Sequence, residues 1–573
     1  MKGIRQSGSW LAVAALIAMS QSAHAQTVLP TDPNSTCAVS ALEIASWFTS
    51  GTVTANGGVD PADSILFPNV PNCSFYKWSE QMFLWLTSPA PSKYGKGTHV
   101  FDSPVFYDVS PPDSSGQRTL IANVPGRLKI FGARISQLGP KGQPVIFDKS
   151  GKRFNLIRPE VGPTGKPVIR DRAGQRIEIE RTEVDPAGKP IFRDKAGKAI
   201  DFQATTGGLP RLRDRAGRPI DFRLNKTIIN GRTFFLDGAG NAIETETGQA
   251  DGNVLMAQGN KLAYYALQVN DVYAYFLTGT KNGSITPTPT RFPTTPGDLN
   301  KIIAFGATNN KTFPDANALA VELKSSWIEA TGLDTSKFVT MTATIPTFDT
   351  SNPLHWVQNG SKQALLAMTG MHVVGSTAGH TEMIWATFEH VSNTRNAQYT
   401  YNKTGGGTGT VASEVGGTWL FSTTPASGPP APNNAIIFLD PATGDLLAAG
   451  ATPIGPTDVL RVNPWGTSGP GGAFNTNNAD LIKINNSVIN QLIAPDVRKN
   501  YIMTGVTWTP FGAVPTGNNG VGTNNMANST METFFQPSNC FACHDGSNML
   551  GSLTNGFSSG LSHIWGGLKP LFP

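Results

Sequence analysis

The residues with the clearest chemistry stand close to the C-terminal end, in the run Cys540-Phe-Ala-Cys543-His544. This spacing matches the C-x-x-C-H pattern of covalent haem attachment. Two thiols three residues apart can add to the two vinyl groups of one haem, and the residue that follows can supply an imidazole nitrogen to the iron. The run therefore predicts one haem c as cofactor, attached through Cys540 and Cys543, with His544 as an iron ligand.

The same cysteine pair would also suit a dithiol redox site or half of a zinc site. A zinc site would need further thiols or a second close pair of ligands, and a thioredoxin-like dithiol would need a βαβ setting. The sequence shows neither, so haem attachment is the favoured interpretation.

The C-x-x-C-H motif does not identify the second axial ligand of the iron. Met549 follows His544 by only five residues, whereas His563 follows it by nineteen and has enough chain to fold around a haem edge. We therefore predict His544 and His563 as the metal ligands. A methionine would raise the reduction potential relative to a second histidine, and an empty position would favour ligand binding or catalysis. The remaining candidates, all upstream, are His355, His372, His380, His390, Met503, Met526 and Met531.

A second polar cluster lies in the middle of the chain. It consists of His372, His380, Glu382, Glu389 and His390. If residues 382–391 form a strand, alternation places His380, Glu382 and His390 on one face. Such a set could bind a metal or supply a general base, but its spacing matches no established metal motif. A polar lining, or contacts to haem propionates, is the favoured interpretation.

The first 25 residues have the features of a secretory signal, with a basic start, an apolar run over residues 10–19 and the cleavage pattern Ala23-His24-Ala25. An uncleaved membrane anchor is the alternative, although the apolar run is short for a bilayer. No later segment is long and apolar enough for a membrane span. We expect a periplasmic protein or one released outside the cell, with no nucleic-acid partner.

Export would place the other two cysteines, Cys37 and Cys73, where disulfides persist. We predict that they form a disulfide, which would contribute roughly 3 to 4 kcal/mol on the chain-entropy model. Two buried thiols are the alternative.

Composition favours a β-rich α+β fold. The chain has 573 residues, with 39% hydrophobic and 15% charged residues, 61 glycines and 42 prolines. This mixture is typical of turn-rich structure, and the length exceeds what one core usually serves. The predicted units are a signal peptide (1–25), an N-terminal helical or mixed unit with the disulfide (26–125), a basic repeat region (126–250), a large β-rich main body (251–531) and a short haem-attachment tail (532–573). Predicted helices cover 41–50, 75–86 and 316–330, and predicted strands cover 262–267, 272–277, 338–345, 372–376 and 382–391.

An internal repeat occupies the region before the main body. Five copies each combine an apolar strand, an Asp-x-Ala/Ser-Gly turn and a second short strand, which predicts an inserted array of five β-hairpins. The turn aspartates are Asp148, Asp171, Asp194, Asp214 and Asp237, spaced by 23, 23, 20 and 23 residues. Residues 127–226 contain 23 Lys and Arg against 11 Asp and Glu. This excess suits docking of an acidic redox partner. A solvated insertion whose charges prevent strand pairing with other chains is the favoured alternative.

Several stretches resemble exported bacterial proteins of the cytochrome c family that carry a C-terminal haem c attachment motif. The matching pieces are WSEQMFLWL (78–86), VELKSSW (321–327), GMHVV (370–374), IWATFEH (384–390), NCFACH (539–544) and LSH (561–563). The resemblance spans the N-terminal unit, the body and the tail, but not the repeats. It implies haem attachment at Cys540 and Cys543 with His544 as ligand, and it implies no particular reaction.

Only 29 residues follow His544, too few for a small cytochrome domain of the usual size. A haem here must pack against the body, or residues 481–503 must supply one wall. We expect a periplasmic mono-haem protein that passes single electrons to a redox partner protein. A haem-dependent oxidoreductase whose β body binds a substrate, and a non-enzymatic haem sensor, are the alternatives, so enzymatic activity is left open.

Overall fold

The computed structural model describes most of the N-terminal unit, most of the main body and parts of the tail. Described residues are 24–68, 72–95, 97–110, 117–123, 254–415, 417–422, 445–448, 452–466, 472–516, 518–523, 525–533, 536, 539–542, 544 and 561–572. Within residues 129–243, only the backbones of short separate strands are described, and of strand 437–439 only Ile437 is described with its side chain. Most of the predicted signal peptide lies outside the described residues, as do Cys543 and Met549.

One large antiparallel sheet forms the centre of the molecule. Its main strands are β1 Phe106–Val109, β2 Leu120–Ala122, β3 Tyr264–Asn270, β4 Val321–Glu329, β5 Thr340–Asp349, β6 His355–Thr377, β7 His380–His390, β8 Tyr501–Trp508 and β9 Val521–Gly522. They lie in the order β2-β1-β3-β4-β6-β7-β8-β9. The 23-residue strand β6 is long enough to pair with β5 through its first half and with β7 through its second half.

Five helices accompany the sheet in the described part of the chain. They are α1 Ala41–Trp47, α2 Asn72–Leu86, α3 Asp271–Lys281, α4 Pro296–Thr308 and α5 Gly472–Ile489. Short 3₁₀ turns occupy Ser92–Tyr94, Val100–Asp102, Ala316–Ala318, Thr335–Lys337, Pro464–Gly466, Val497–Asn500, Pro510–Gly512 and Cys540–Ala542. Additional two- to four-residue strands in the body are Met256–Ala257, Lys261–Leu262, Arg395–Asn396, Tyr399–Asn402, Thr408–Val411, Ile437–Leu439, Leu446–Ala448 and Leu460–Arg461.

Alternate residues of the central strands enter two separate cores. Ala386 and Phe388 face α2 and α5, whereas Val374 and Trp385 face α3 and α4. We call these two sides of the sheet the α2 face and the α3 face. Helix α2 belongs to the core of its face, since Phe83 stacks on Phe388 with ring centroids 4.2 Å apart. The aromatic helix predicted from its spacing is therefore a packing element.

Helix α2 also buries a carboxyl group. Glu80 is 4% exposed, and its Oε1 atom has no hydrogen-bond partner among the described residues. Burial raises the pKa of Glu80 to about 8. The side chain is therefore neutral at pH 7, and the helix packs against the sheet without a buried charge.

Most predicted elements of the body are confirmed, and two are wrong. Residues 316–330 were expected to form a helix but contain strand β4, whose burial alternates from Val321 onward. Residues 272–277 were expected to form a strand but lie in α3. The side chain of Asn270 accepts a hydrogen bond from the Tyr273 backbone N–H, and Asp271 stands in the first turn, so local capping starts a helix in this apolar segment.

The β-rich character of the body is confirmed. In the predicted repeat region, four of the aspartate turns join antiparallel strand pairs, namely Val145–Phe147 with Arg153–Asn155, Pro167–Arg170 with Arg176–Glu178, Arg211–Arg213 with Pro219–Asp221, and Arg232–Leu236 with Ala242–Ile243. Strand Pro190–Arg193 pairs with the preceding strand Arg181–Val184 instead. The assembly of these pairs into an array stays a prediction. Among the described residues, no helix has the length and apolar character needed to cross a membrane.

The predicted disulfide between Cys37 and Cys73 is confirmed. The two Cα atoms are 5.3 Å apart, and the bond ties the segment before α1 to the first turn of α2. It thereby fixes the helix that covers one face of the sheet to the N-terminal end of the described chain.

Removing this bond should destabilise the fold without abolishing it. For the double variant Cys37→Ser/Cys73→Ser, we expect the free energy of unfolding to fall by about 3 to 4 kcal/mol, because the bond closes a loop of 36 residues in the unfolded chain. Denaturant unfolding followed by tryptophan fluorescence measures this difference. The reduced wild-type protein should unfold like the variant, and an unchanged midpoint would contradict the prediction.

Candidate functional site

The α3 face of the sheet presents a row of side chains that lie side by side across four strands. Antiparallel pairing aligns Val269 of β3 with Glu322 of β4, Glu322 with Val374 of β6, and Val374 with Trp385 of β7. The C-terminal segment, residues 561–572, lies over this row, since Ser562 bonds to Glu322. The α3 face of the sheet therefore forms one side of the predicted haem site.

A second stretch of chain crosses the neighbouring rows of the same face. Residues 525–533 lead towards the cysteine motif, and within them Asn528 donates from Nδ2 to Thr387 Oγ1 at 2.9 Å. An ideal Cβ at Gly370 would come within 2.8 Å of Asn528 Nδ2, so only glycine allows this close approach. Glu532 Oε1 lies 3.1 Å from His372 Nε2. Polar contacts therefore hold residues 525–533, which precede the cysteine motif, on the sheet.

The ionised side chain of Glu532 also holds residues 525–533 in place. Burial alone would raise the pKa of Glu532, but the nearby His372 and Lys324 together hold it at about 2. The carboxylate therefore stays ionised at all ordinary pH values. Lys324 and His372 are cross-strand neighbours, so Glu532 bridges β4 and β6.

The two predicted iron ligands lie together. The imidazole rings of His544 and His563 stack with centroids 3.9 Å apart and an interplanar angle of 15°. Trp385 lies against His544 at 4.3 Å. Residues nineteen positions apart in the sequence are thus brought to one place above the sheet.

The orientation of His544 suits a metal ligand. Its Nδ1 atom lies 3.0 Å from the carbonyl oxygen of Leu561, which can only accept a hydrogen bond. The proton therefore belongs on Nδ1, and the lone pair belongs on Nε2, the arrangement found for metal-ligating histidines. The backbone N–H of His544 donates to the Cys540 carbonyl at 2.8 Å, so the thiol and the imidazole belong to one turn. Cys540 is partly exposed and forms no disulfide.

Apolar side chains surround this pair. Phe541 is 1% exposed and Met526 is 4% exposed, and both belong to the core of the α3 face together with Trp385 and Ile564. The backbone carbonyl of Met526 lies 4.0 Å from Cys540 Sγ. The surroundings of Cys540 and His544 are therefore largely closed to water on the side of the sheet.

The C-terminal segment is anchored along its length. Lys281, at the end of α3, donates from Nζ to the carbonyl oxygens of Trp565 and Leu568 at 2.6 Å each and of Gly566 at 3.2 Å. Arg118 pairs with the segment through backbone hydrogen bonds to Gly567 and Lys569. The Trp565 ring packs against Tyr273, Phe276 and Phe292 of the α3 core. These contacts define where His563 can stand.

The walls of the site come from elements that the sequence did not single out. Residues 481–503 were one predicted wall, but the helix and strand that they join, α5 and β8, pack mainly in the core of the α2 face. The site is instead formed by α3, Trp385, Met526 and the C-terminal segment itself. Glu322, Ser562 and Lys281 were also missed, because nothing in a single sequence links positions about 240 or 280 residues apart.

The central histidine cluster does not form one site. Alternation does place His380, Glu382 and His390 on one face, but His380 and His390 are ten residues apart, about 33 Å along a strand. His380 Nδ1 pairs with Glu382 Oε1 at 2.7 Å, whereas His390 stacks on Phe338 at 3.9 Å. Burial lowers the pKa of His390 to about 3. In the part of the chain that is described, no three His, Cys, Asp or Glu side chains are grouped to hold a metal ion.

Comparisons with known proteins yield no relative: no protein-family model, no curated protein and no solved structure matches the chain. Function must therefore be argued from the arrangement around His544. The family resemblance noted in the sequence stays a hypothesis.

Anchoring by Lys281 can be tested directly. Lys281→Met keeps the aliphatic stem but removes the donors to three carbonyl groups, so the C-terminal segment should open more easily by about 1.5 kcal/mol. Hydrogen exchange measured by mass spectrometry should then be roughly tenfold faster in peptides covering residues 561–572. The exposed Lys301→Met on α4 serves as the matched control. Unchanged exchange in the Lys281 variant would show that the segment is held by other contacts.

Proposed function

We propose that this protein is an exported c-type haem protein that transfers single electrons. One haem c would be attached through Cys540 and Cys543 and ligated by His544 and His563. The observation that carries this proposal is the convergence of the two histidines beside Cys540. Their ring centroids are 3.9 Å apart although nineteen residues separate them in sequence.

The residues fit a haem by their chemistry. Cys540 and His544 lie on one turn, as C-x-x-C-H attachment needs, and the hydrogen bond to the Leu561 carbonyl would keep the proton on His544 Nδ1, so that Nε2 is the nitrogen that could ligate a metal. The rings of His544 and His563 stack face to face, which leaves no space for an iron between them. Ligation by both therefore requires His563 to separate from His544. Bound haem supplies one-electron ferric/ferrous chemistry.

The protein's own residues would orient and enclose the group. Trp385 and Phe541 exclude water from the side of the sheet, and the Lys281 contacts position the segment that carries His563. If His544 and His563 both held the iron, no exchangeable ligand position would remain. This favours electron transfer over substrate oxidation or gas sensing, both of which need an exchangeable position.

Three of the other upstream candidates for the second ligand are engaged elsewhere. His355 pairs with Asp445, His372 with Glu532, and His380 with Glu382. Met526 is different, because it lies beside Cys540 on the α3 face. It is the alternative second ligand that the arrangement supports.

The proposed location is the periplasm, on the evidence of the signal-like N-terminal sequence and the Cys37–Cys73 disulfide. The partner would be a redox protein. We propose that the basic hairpin repeats, residues 126–250, form a solvated insertion, and docking of an acidic partner on them is the alternative. The C-terminal motif and the family resemblance support the cytochrome-like assignment.

Covalent attachment is the first test. After expression in a bacterial host that attaches haem c, the wild-type chain should keep haem through denaturing electrophoresis and show it by peroxidase staining. Cys540→Ala/Cys543→Ala should lose the stain, since both thioether bonds are gone. The Cys37→Ser/Cys73→Ser variant should keep it and controls for loss of thiols in general. A wild-type chain without covalent haem would refute the proposal.

The second ligand is tested by carbon monoxide. The ferrous wild-type protein should show no spectral change with carbon monoxide, because both axial positions are filled. His563→Ala should bind carbon monoxide readily and give a shifted Soret band, whereas Met526→Leu should behave like wild type. The reverse result would assign the ligand to Met526, and carbon monoxide binding by the wild type would favour the oxidoreductase or sensor hypothesis.

A further inference from the structure

We propose that the turn between β6 and β7 binds a monovalent cation, Na⁺ or K⁺, through oxygen atoms. This site goes beyond the proposed function and lies at Glu382, whose side chain is 1% exposed. Its Oε1 atom contacts His380 Nδ1 at 2.7 Å and accepts from the Thr509 backbone N–H at 3.1 Å. Its Oε2 atom has no hydrogen-bond partner among the described residues. One oxygen of the carboxyl group is therefore satisfied, and the other is buried with nothing to bind it.

Two further oxygen atoms lie at the end of the same hairpin. Thr377 stands directly opposite His380 in the strand pair, so the two side chains share a face of the sheet. Thr377 is fully buried, and its hydroxyl finds no partner in the described part of the chain. A Cβ built on Gly512 would collide with the Gly379 carbonyl oxygen and would lie 3.6 Å from Glu382 Oε2. The carbonyl and carboxyl oxygens therefore approach one point beside Gly512.

A strained turn covers these oxygens. Residues 510–512 form a 3₁₀ turn in which Phe511 has φ 56° and Gly512 has φ 67°. The left-handed backbone is costly for Phe511, and such strain persists only where the surroundings impose it. Its ring is 96% exposed, so packing of the ring does not explain the conformation. The hydrogen bond from Thr509 to Glu382 does hold the turn over the carboxyl group.

Charge and donor chemistry select the class of ligand. A buried carboxylate is costly unless a positive charge accompanies it, and a water molecule supplies none. Carboxylate, hydroxyl and carbonyl oxygens are the donors that hard cations prefer. With His380 neutral, the group carries one negative charge, which a monovalent cation cancels and a divalent cation does not. Only one of the three oxygens belongs to an acidic side chain, which distinguishes this site from clusters of His, Cys, Asp and Glu.

The site is joined to the rest of the α3 face. Trp385 Nε1 donates to the Glu382 backbone carbonyl at 2.9 Å, and Trp385 lies against His544. On its other side, the ring of Phe75 lies edge to face with His380, with centroids 4.9 Å apart. A cation at Glu382 would therefore tie the β6–β7 turn to the covering turn and would help to fix Trp385.

Thermal unfolding in different chloride salts tests the site. At equal ionic strength and pH 7, the wild-type midpoint should be about 1 to 2 °C higher in sodium or potassium chloride than in tetramethylammonium chloride, whose cation is too large to enter. Glu382→Gln removes the charge that attracts the cation, so its midpoint should be the same in all three salts. Glu80→Gln is the matched control. It removes a buried carboxyl of α2 and should keep the wild-type difference.

Equal wild-type midpoints in the three salts would mean that water alone lies beside Glu382, and would overturn the inference. A difference that persists in Glu382→Gln would do the same, because the ions would then bind elsewhere. A larger effect of calcium chloride that is lost in Glu382→Gln would contradict the assignment of a monovalent ion. If Glu382→Gln does not fold, Thr377→Val decides: a smaller difference supports the site, and an undiminished one refutes it.

Anomalous diffraction can locate the ion directly. Crystals soaked in thallium(I) acetate, a heavy substitute for K⁺, should show an anomalous peak within bonding distance of Glu382 Oε2 and the Gly379 carbonyl oxygen. Peaks only elsewhere on the protein would refute the site. Neither experiment needs a haem, so failure of this inference and failure of the proposed function are distinguishable.

Discussion

The antiparallel register of β4, β6 and β7 is the constraint on which the candidate site depends. It places Glu322, Val374 and Trp385 in one row on the α3 face, where the C-terminal segment and His544 rest. Side chains alternate along a strand, so a slip of one residue would turn such a row into the opposite core. That register is well defined, because Val373, Ala386 and Phe388 must at the same time fill the core of the α2 face. Packing on the α2 face thus determines which side chains the α3 face presents at the candidate site.

A buried ion pair holds residues 525–533, the segment that leads to the cysteine motif. Glu389 and Arg461 are both almost fully buried, with Oε2 and Nη2 2.6 Å apart, and Glu389 also accepts from the Ser529 backbone at 2.8 Å. Burial alone would raise the pKa of Glu389, but Arg461 and Ser529 lower it. Such pairs add little net stability compared with apolar packing, because desolvation offsets the attraction. Here the pair fixes the position of residues 525–533, and so the direction from which the chain reaches Cys540.

The local features could be predicted from sequence, and the long-range contacts could not. The cysteine spacing, the aromatic helix α2 and the Cys37–Cys73 pair are encoded within short stretches or by elimination among four cysteines. Strand β4 lies where a helix was predicted after the turn Phe313-Pro314-Asp315, and pairing with β3 and β6, which are distant in sequence, makes it a strand. The convergence of His544 with His563 was expected from chain length. Its polar support, Glu322, lies 240 residues from Ser562 and left no local pattern.

The C-terminal segment and the wide sheet play different parts in the candidate site. The C-terminal segment, residues 561–572, is anchored on the α3 face, and its Trp565 packs into the core of that face. A group bound beside Cys540 and His544 would also need a rigid surface whose side chains are already fixed. A wide sheet packed on both faces meets that need, because neither core can rearrange without disturbing the other. If the proposed haem is attached at Cys540, the α3 face of this sheet would supply the part of its enclosure that the C-terminal segment does not.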